Sequence, residues 1–304
     1  MLTRLGRAAA EVLIRPAAVA DAFYPADPDR LRALVTWQLA EAEERHPAPS
    51  GLTEPDGILV PHAGLVYSGV VAASGWRVAM RPGARPATVV LLGTNHGAGW
   101  LEGVGVWDHG AWRTALGDAA VDDDLASAIV GLGPPFLVDR DAHRAEHSIE
   151  VQLPFLRVLA GDARIVPLAV ACGVGAVAVD AGARLGELIA RRRHAGERIV
   201  VAISTDMAHY PPHDVAQRIT TALLPAILAV DPAGLAEREH ALRKAGAPGL
   251  ACGMCGIEPA VVGLAALRAV GAVRGSLLAA ATSADAGGGA DRTVGYLSAA
   301  FGMG

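Results

Sequence analysis

Cysteine is scarce in this 304-residue chain. Cys172, Cys252 and Cys255 are its full complement, too few for the disulfide framework of a secreted domain but enough for metal or thiol chemistry. Long apolar runs are also missing. None reaches the roughly 18 residues that a spanning helix needs, although the mean hydropathy is +0.34, so no membrane role is expected. Charged residues are only 19%, and 26 basic against 31 acidic side chains leave a net charge of −5. That balance speaks against wrapping a nucleic-acid backbone. The five Trp, four Tyr and four Phe are not clustered with basic residues, so no nucleic-acid stacking platform is present either. Four common catalytic patterns are absent: G-x-S-x-G, the Walker loop, H-E-x-x-H and the dinucleotide G-x-G-x-x-G. GLGPPF at Gly131 fails the last of these, because prolines follow the glycines.

Small and apolar side chains are plentiful. Alanine numbers 62 and glycine 36, and 52% of residues are hydrophobic, which excludes a disordered chain. The reading is one domain over 1–304, with 1–14 as a loose leader in which Glu11 interrupts any signal-peptide core, on a cytoplasmic protein. A capped helix is predicted over Asp27–Arg45, with Pro28 following the capping Asp27. Short apolar runs follow at Ile58–Val60, Thr88–Leu92, Arg164–Val170, Ile199–Ile203 and Ser276–Ala280, with Thr293–Ala300 as an edge or returning strand. Helical spacing covers Ser148–Leu159, Val174–Arg193, Val215–Val230, Leu235–Lys244 and Pro259–Val270, though Pro154 should kink or end the first. Continuous apolar strands alternating with helices predict an α/β fold: a mostly parallel central sheet covered by helices on both faces. A glycine run at Asp285–Asp291 predicts a flexible loop.

The chemistry-bearing residues fall just beyond these strands, where open α/β sheets bind ligands. His62 follows the first strand, Asn95 and His96 the second, and Asp206 and His209 a later one. Two histidines at neighbouring strand ends can share a divalent metal; each can equally be a satisfied loop histidine. The pair Cys252 and Cys255 forms a CxxC before a helix start, suited to metal or thiol exchange, or simply buried in a glycine-rich turn. Glu146, His147 and Glu150 crowd the start of one helix, either as acid–base and ligand-orienting groups or as negative charge at a helix N-terminus. His143 is ambiguous. Trp76, Trp100, Trp107 and Trp112 are candidates for pocket walls or for core packing.

The segments VPHAG, LLGTNH, EHSIEVQLPF, STDMAHY, CGIEP and TSAD…VGY, in that order, resemble the Memo family, whose bacterial members carry the name AmmeMemoRadiSam system protein B. The resemblance runs from about Arg15 to Phe301. It implies the fold of the class III extradiol ring-cleaving dioxygenases and a non-haem metal, iron(II) first and copper second, held by His62, His96 and Cys255. It also implies that Asp206 and His209 transfer protons or orient ligands, with Glu146, His147 and Glu150 lining a cleft for a small molecule or peptide. The leading expectation is a metal-dependent oxidoreductase. A second is ring cleavage of a catechol-like substrate with His147 or His209 as base, which a cysteine ligand disfavours. A third is a non-enzymatic scaffold, since animal members look like phosphotyrosine-peptide binders. The bacterial name implies AMMECR-like and radical-SAM protein partners. Cys252 departs from the family pattern, and a Cys252–Cys255 disulfide would withdraw Cys255 from the metal.

Overall fold

The computed structural model describes residues 13–50, 52, 54–81 and 87–302. Most of the predicted leader therefore lies outside the described residues. In chain order the elements are β1 (Ile14–Arg15), α1 (Pro28–Arg45), β2 (Gly57–Val60), α2 (Leu65–Ala79), β3 (Thr88–Thr94) and β4 (Gly103–Val106). There follow β5 (Ala111–Trp112), β6 (Ala119–Ala120), α3 (Asp123–Val130), β7 (Phe136–Val138) and α4 (Leu153–Leu159). The chain continues with β8 (Arg164–Ala171), α5 (Ala176–His194), β9 (Ile199–Ser204) and α6 (His213–Leu228). It ends with α7 (Pro232–Ala245), α8 (Ile257–Val270), β10 (Arg274–Thr282) and β11 (Gly295–Gly302).

An eight-stranded sheet runs β10-β11-β2-β9-β3-β8-β4-β7, and β1, β5 and β6 form a small second sheet. The central strands β2, β9, β3 and β8 are parallel. Both flanks break the pattern: β11 is antiparallel to β2 and to β10, and β4 is antiparallel to β8. The expectation of a mostly parallel sheet is thus corrected to a mixed one. The reason is connectivity. β11 returns directly from β10, without a crossover helix, and a direct return can only be antiparallel.

Every residue of β3 and β9 is buried, because helices cover both faces of the sheet. On one side α8 packs on β9, β3 and β8, with α5 against α8; on the other α2 packs on β2, β11 and β10 and is backed by α1 and α4. The α5–α8 contact depends on small residues. A Cβ at Gly182 would sit 2.3 Å from the Val262 carbonyl oxygen, and one at Gly186 would sit 2.2 Å from that of Ala266. Glycine costs a helix about 1 kcal/mol relative to alanine, which the close helix contact offsets. In α1 the Asp27 carboxylate accepts from the Arg30 N–H at 2.8 Å, as its capping role requires, and Leu31, Val35 and Ala42 face the core.

Pro154 neither kinks nor ends a long helix. Ser148–Leu159 instead resolves into a 3₁₀ turn at Glu150–Gln152 and then α4, with the proline in its first turn, where its missing N–H costs nothing. Among the described residues no helix is long and apolar enough to cross a membrane. Trp76, Trp107 and Trp112 are buried core residues, while Trp100 is exposed.

Candidate metal centre

The carboxyl ends of β2, β3 and β9 open into one cleft of about 650 Å³. His62 stands two residues beyond β2, His96 two beyond β3 and Asp206 two beyond β9. Cys255 arrives from the turn before α8, and His147 from the loop before the 3₁₀ turn.

A closed hydrogen-bond chain determines how His62 presents itself. The Trp76 indole, a donor only, gives its N–H to Gln152 Oε1 at 2.8 Å, which makes Gln152 Nε2 the donor end of that amide. Nε2 donates to the Pro61 carbonyl at 2.8 Å and to Ser204 Oγ at 3.0 Å. Ser204 spends its own proton on the Ser148 carbonyl at 2.6 Å. His62 Nδ1, 3.1 Å from Ser204 Oγ, must therefore be the protonated nitrogen, and Nε2 faces the cleft as a free base. Burial, followed by the charge of His96, holds the His62 imidazolium pKa down to about 3. The ring is neutral near pH 7, as a metal ligand must be.

His96 is set by a carboxylate. Its Nδ1 lies 3.0 Å from Glu146 Oε1, and Glu146 also accepts the backbone N–H groups of His96, His147 and Ser148, each at 2.8 Å. Burial alone would raise the Glu146 pKa, but the His96 contact and these N–H groups hold it well below the usual carboxylate range. The ionised Glu146 holds the His96 proton on Nδ1 and leaves Nε2 for the cleft. Glutamine at position 146 is expected to weaken metal binding about 10–100-fold. A chelator-competition titration of wild type and Glu146→Gln checks this, and equal affinities would show that Glu146 does not orient the ligand.

His147 stacks on His96 with ring centroids 4.5 Å apart and meets the Phe23 ring at 4.6 Å with the planes tilted by 43°. Burial is the main cause that lowers its pKa to about 4. Cys255 Sγ lies 3.3 Å from His62 Nε2 and accepts the Asp206 N–H at 3.3 Å. Burial, and then the nearby Asp206 charge, push its thiol well above the ordinary range. Asp206 Oδ1 accepts the N–H groups of His62 and Ala63, and its Oδ2 is 3.9 Å from His209 Nε2, a buried nitrogen with no hydrogen-bond partner.

Among the described residues, two groups of donor atoms lie within 4.8 Å of one another: His62, His96 and His147, and His62, Asp206 and Cys255. They share His62. The structure thus brings together His62, His96, His147, Asp206, His209 and Cys255, but not Glu150. The Glu150 carboxylate is fully buried and engaged elsewhere, with Arg15 Nη1 at 2.6 Å, the Tyr24 hydroxyl at 2.6 Å and the N–H groups of Ala18 and Val19. It anchors the segment after β1 and does not line the cleft. His143 is likewise structural: fully buried, with Nε2 at 2.9 Å from the Gly105 carbonyl and its ring against Trp107 and Trp112. All three cysteines are free, and the Cys252 carbonyl accepts the His209 N–H. Sequence reasoning missed Arg15 as the partner of Glu150. It also missed Phe23, Tyr67 and Arg292, which line the cleft outside any motif, and it gave no role to Tyr210 and Tyr296, which close the STDMAHY and VGY segments and line the cleft as well.

The fold and the site define an α/β protein with a histidine- and cysteine-bearing cleft, able to coordinate a metal, at the ends of its parallel strands. The comparisons make this more specific: the profile described as Memo-like protein matches residues 15–300, and the chain belongs to that family. It is 37% identical over 294 residues to a MEMO1 family protein of Methanopyrus kandleri, covering 94% of this chain and 98% of the relative. A MEMO1 family protein of Methanothermobacter thermautotrophicus is 35% identical over 286 residues, covering 93% and 99%. The crystal structure of an uncharacterised Escherichia coli K12 protein matches with a TM-score of 0.53 at 16% identity, covering 81% of this chain and 99% of that one. At that identity the likeness concerns the fold alone.

Proposed function

We propose that this protein is a metal-dependent oxidoreductase that holds non-haem iron(II), or copper, through His62, His96 and Cys255. The observation that carries the reading is Cys255 Sγ at 3.3 Å from a His62 Nε2 whose lone pair is directed at it by a closed hydrogen-bond chain. The donor chemistry suits such an ion: two imidazoles and a thiol favour a borderline or soft metal, His62 is common to both donor groups, His96 comes from one and Cys255 from the other, and the carboxylate behind His96 is the usual partner of a ligating histidine. When bound, the ion supplies Lewis acidity and one-electron chemistry. The rest falls to the chain. His209 Nε2, unpartnered and next to Asp206, can take a proton from a substrate hydroxyl, and Asp206 stabilises the resulting imidazolium. Phe23 and His147 close one wall against water. The class III extradiol-type fold is part of this proposal, supported by the strand-end placement of both histidines.

Because the Cys255 thiol is protonated in the metal-free protein, binding must displace one proton. Affinity is then expected to rise about tenfold per pH unit below the thiol pKa. Co(II) or Cu(II) loading without oxygen should give a thiolate-to-metal absorption band, lost in Cys255→Ser and kept in His147→Ala. A band that survives Cys255→Ser, or a flat pH dependence in wild type, would remove the thiolate from the site.

One observation favours a second reading. His147 joins His62 and His96 in a donor group that needs no cysteine. If that all-nitrogen set holds iron(II), ring cleavage of a catechol-like substrate becomes accessible. Oxygen uptake by the iron-loaded protein with a catechol panel tests it, and no uptake would eliminate those substrates.

A further inference from the structure

The rim of the cleft carries a cation that the chemistry described above does not use. Arg292 is exposed, lines the cavity and places its guanidinium 4.2 Å from the centroid of the Tyr210 ring. Among the described residues it has no ion pair and no hydrogen bond. Its place is fixed by backbone pairing. The Tyr210 N–H donates to the Thr293 carbonyl at 2.7 Å, and the Thr293 N–H donates to the Pro211 carbonyl at 2.9 Å, which ties the residue next to Arg292 to Tyr210 and Pro211. Tyr210 itself adopts φ 72°, a left-handed conformation that a tyrosine rarely takes and that the surrounding structure must impose. Its ring lies 5.3 Å from that of His209, so the guanidinium stands within the sum of two ring contacts of the proton-transfer histidine. A guanidinium stacked on an aromatic face keeps its N–H fork free for a planar oxyanion.

The surroundings narrow the choice of anion. The lining of the cavity includes Tyr67, Val294 and Tyr296, and among the described residues Arg292 is its one arginine or lysine. Asp206 already contributes negative charge on the same lining. One guanidinium, in a cavity that also carries the Asp206 carboxylate, suits a single negative charge better than the nearly two charges of a phosphate monoester. We propose that Arg292, held on Tyr210, is the specificity determinant of the cleft and selects a small substrate with an apolar body and one carboxylate. This rests on the reading of the cleft as a substrate-binding metal site, but its test does not need the metal.

Three probes separate the possibilities: 3-phenylpropionate, its uncharged amide 3-phenylpropionamide, and phenyl phosphate. Calorimetric titration of the metal-free full chain should show the carboxylate binding roughly tenfold more tightly than the amide. Arg292→Gln, at an exposed position, should keep the wild-type melting temperature. It should erase the preference while leaving amide affinity within about twofold. Tyr210→Leu should reduce the preference by releasing the guanidinium. No carboxylate binding by wild type, no preference over the amide, a preference that survives Arg292→Gln, or tighter binding of phenyl phosphate would each overturn the proposal. Failure of the metal reading would appear instead as a missing absorption band, with these affinities unaffected.

Discussion

In the His62→Ala protein, bound metal is expected to fall from near one equivalent to less than about a tenth under the same loading. Both donor groups in the cleft contain His62, so no rearrangement among the remaining side chains restores a complete set. A protein metal site of this size is worth on the order of 10 kcal/mol, so losing one of three ligands removes several kcal/mol, more than about a hundredfold in affinity. His62 is also 1% exposed, and its removal leaves Ser204 Oγ without the imidazole that donates to it. His209→Ala is the matched control, since His209 belongs to neither group. Elemental analysis after anaerobic purification compares the two. Full occupancy in His62→Ala would mean that neither donor group is the metal site.

The second large effect is on stability. Arg15 and Glu150 are both fully buried and 2.6 Å apart. Arg15 also donates to the His143 carbonyl at 2.7 Å and the Glu146 carbonyl at 2.6 Å, and lies 4.1 Å over the Trp112 ring. Truncating one member of such a pair strands the other charge away from water, at a cost of about 3–5 kcal/mol. Arg15→Ala should therefore lower the urea midpoint steeply. Replacing both partners by methionine should recover part of the loss, because no uncompensated charge remains. The damage should also reach the metal: Arg15 holds the Glu146 main chain, and the Glu146 side chain orients His96. A loss below about 1 kcal/mol in Arg15→Ala would show that water enters and solvates Glu150.

Much of this was legible in the chain itself. The capped α1, the four central strands and α5 to α8 follow from apolar periodicity, proline and turn residues, all of which act locally. His62, His96, Asp206 and His209 could be placed at strand ends for the same reason. Glu150 could not, because spacing along a helix start does not tell which way a carboxylate points. Its partner, Arg15, is 135 residues away. The sequence marks His147 as an acid–base or ligand-orienting group, while its approach to His62 and His96 depends on three separate loops. Of the two antiparallel flanks, Thr293–Ala300 reads as an edge or returning strand, whereas GVGV at β4 is too short and glycine-rich to signal a strand. The cleft rim was missed because Arg292 and Tyr210 meet only through pairing of distant segments.

That same dispersion of the cleft residues has a consequence for how the protein matures. Cys255 and His62 are 193 residues apart in the chain, and the Asp206–His62 contact spans 144. Among the described residues no short stretch contains a complete donor group, so an emerging or fragmented chain lacks the set that the finished cleft assembles. Unlike a zinc finger, whose metal templates its fold, this protein must finish its sheet and dock α8 before the cleft exists. On the proposed function, metallation would be the closing event of its biogenesis. A bound ion would then act as a thermodynamic seal, adding about 2.7 kcal/mol to unfolding when free metal stands at a hundred times its dissociation constant.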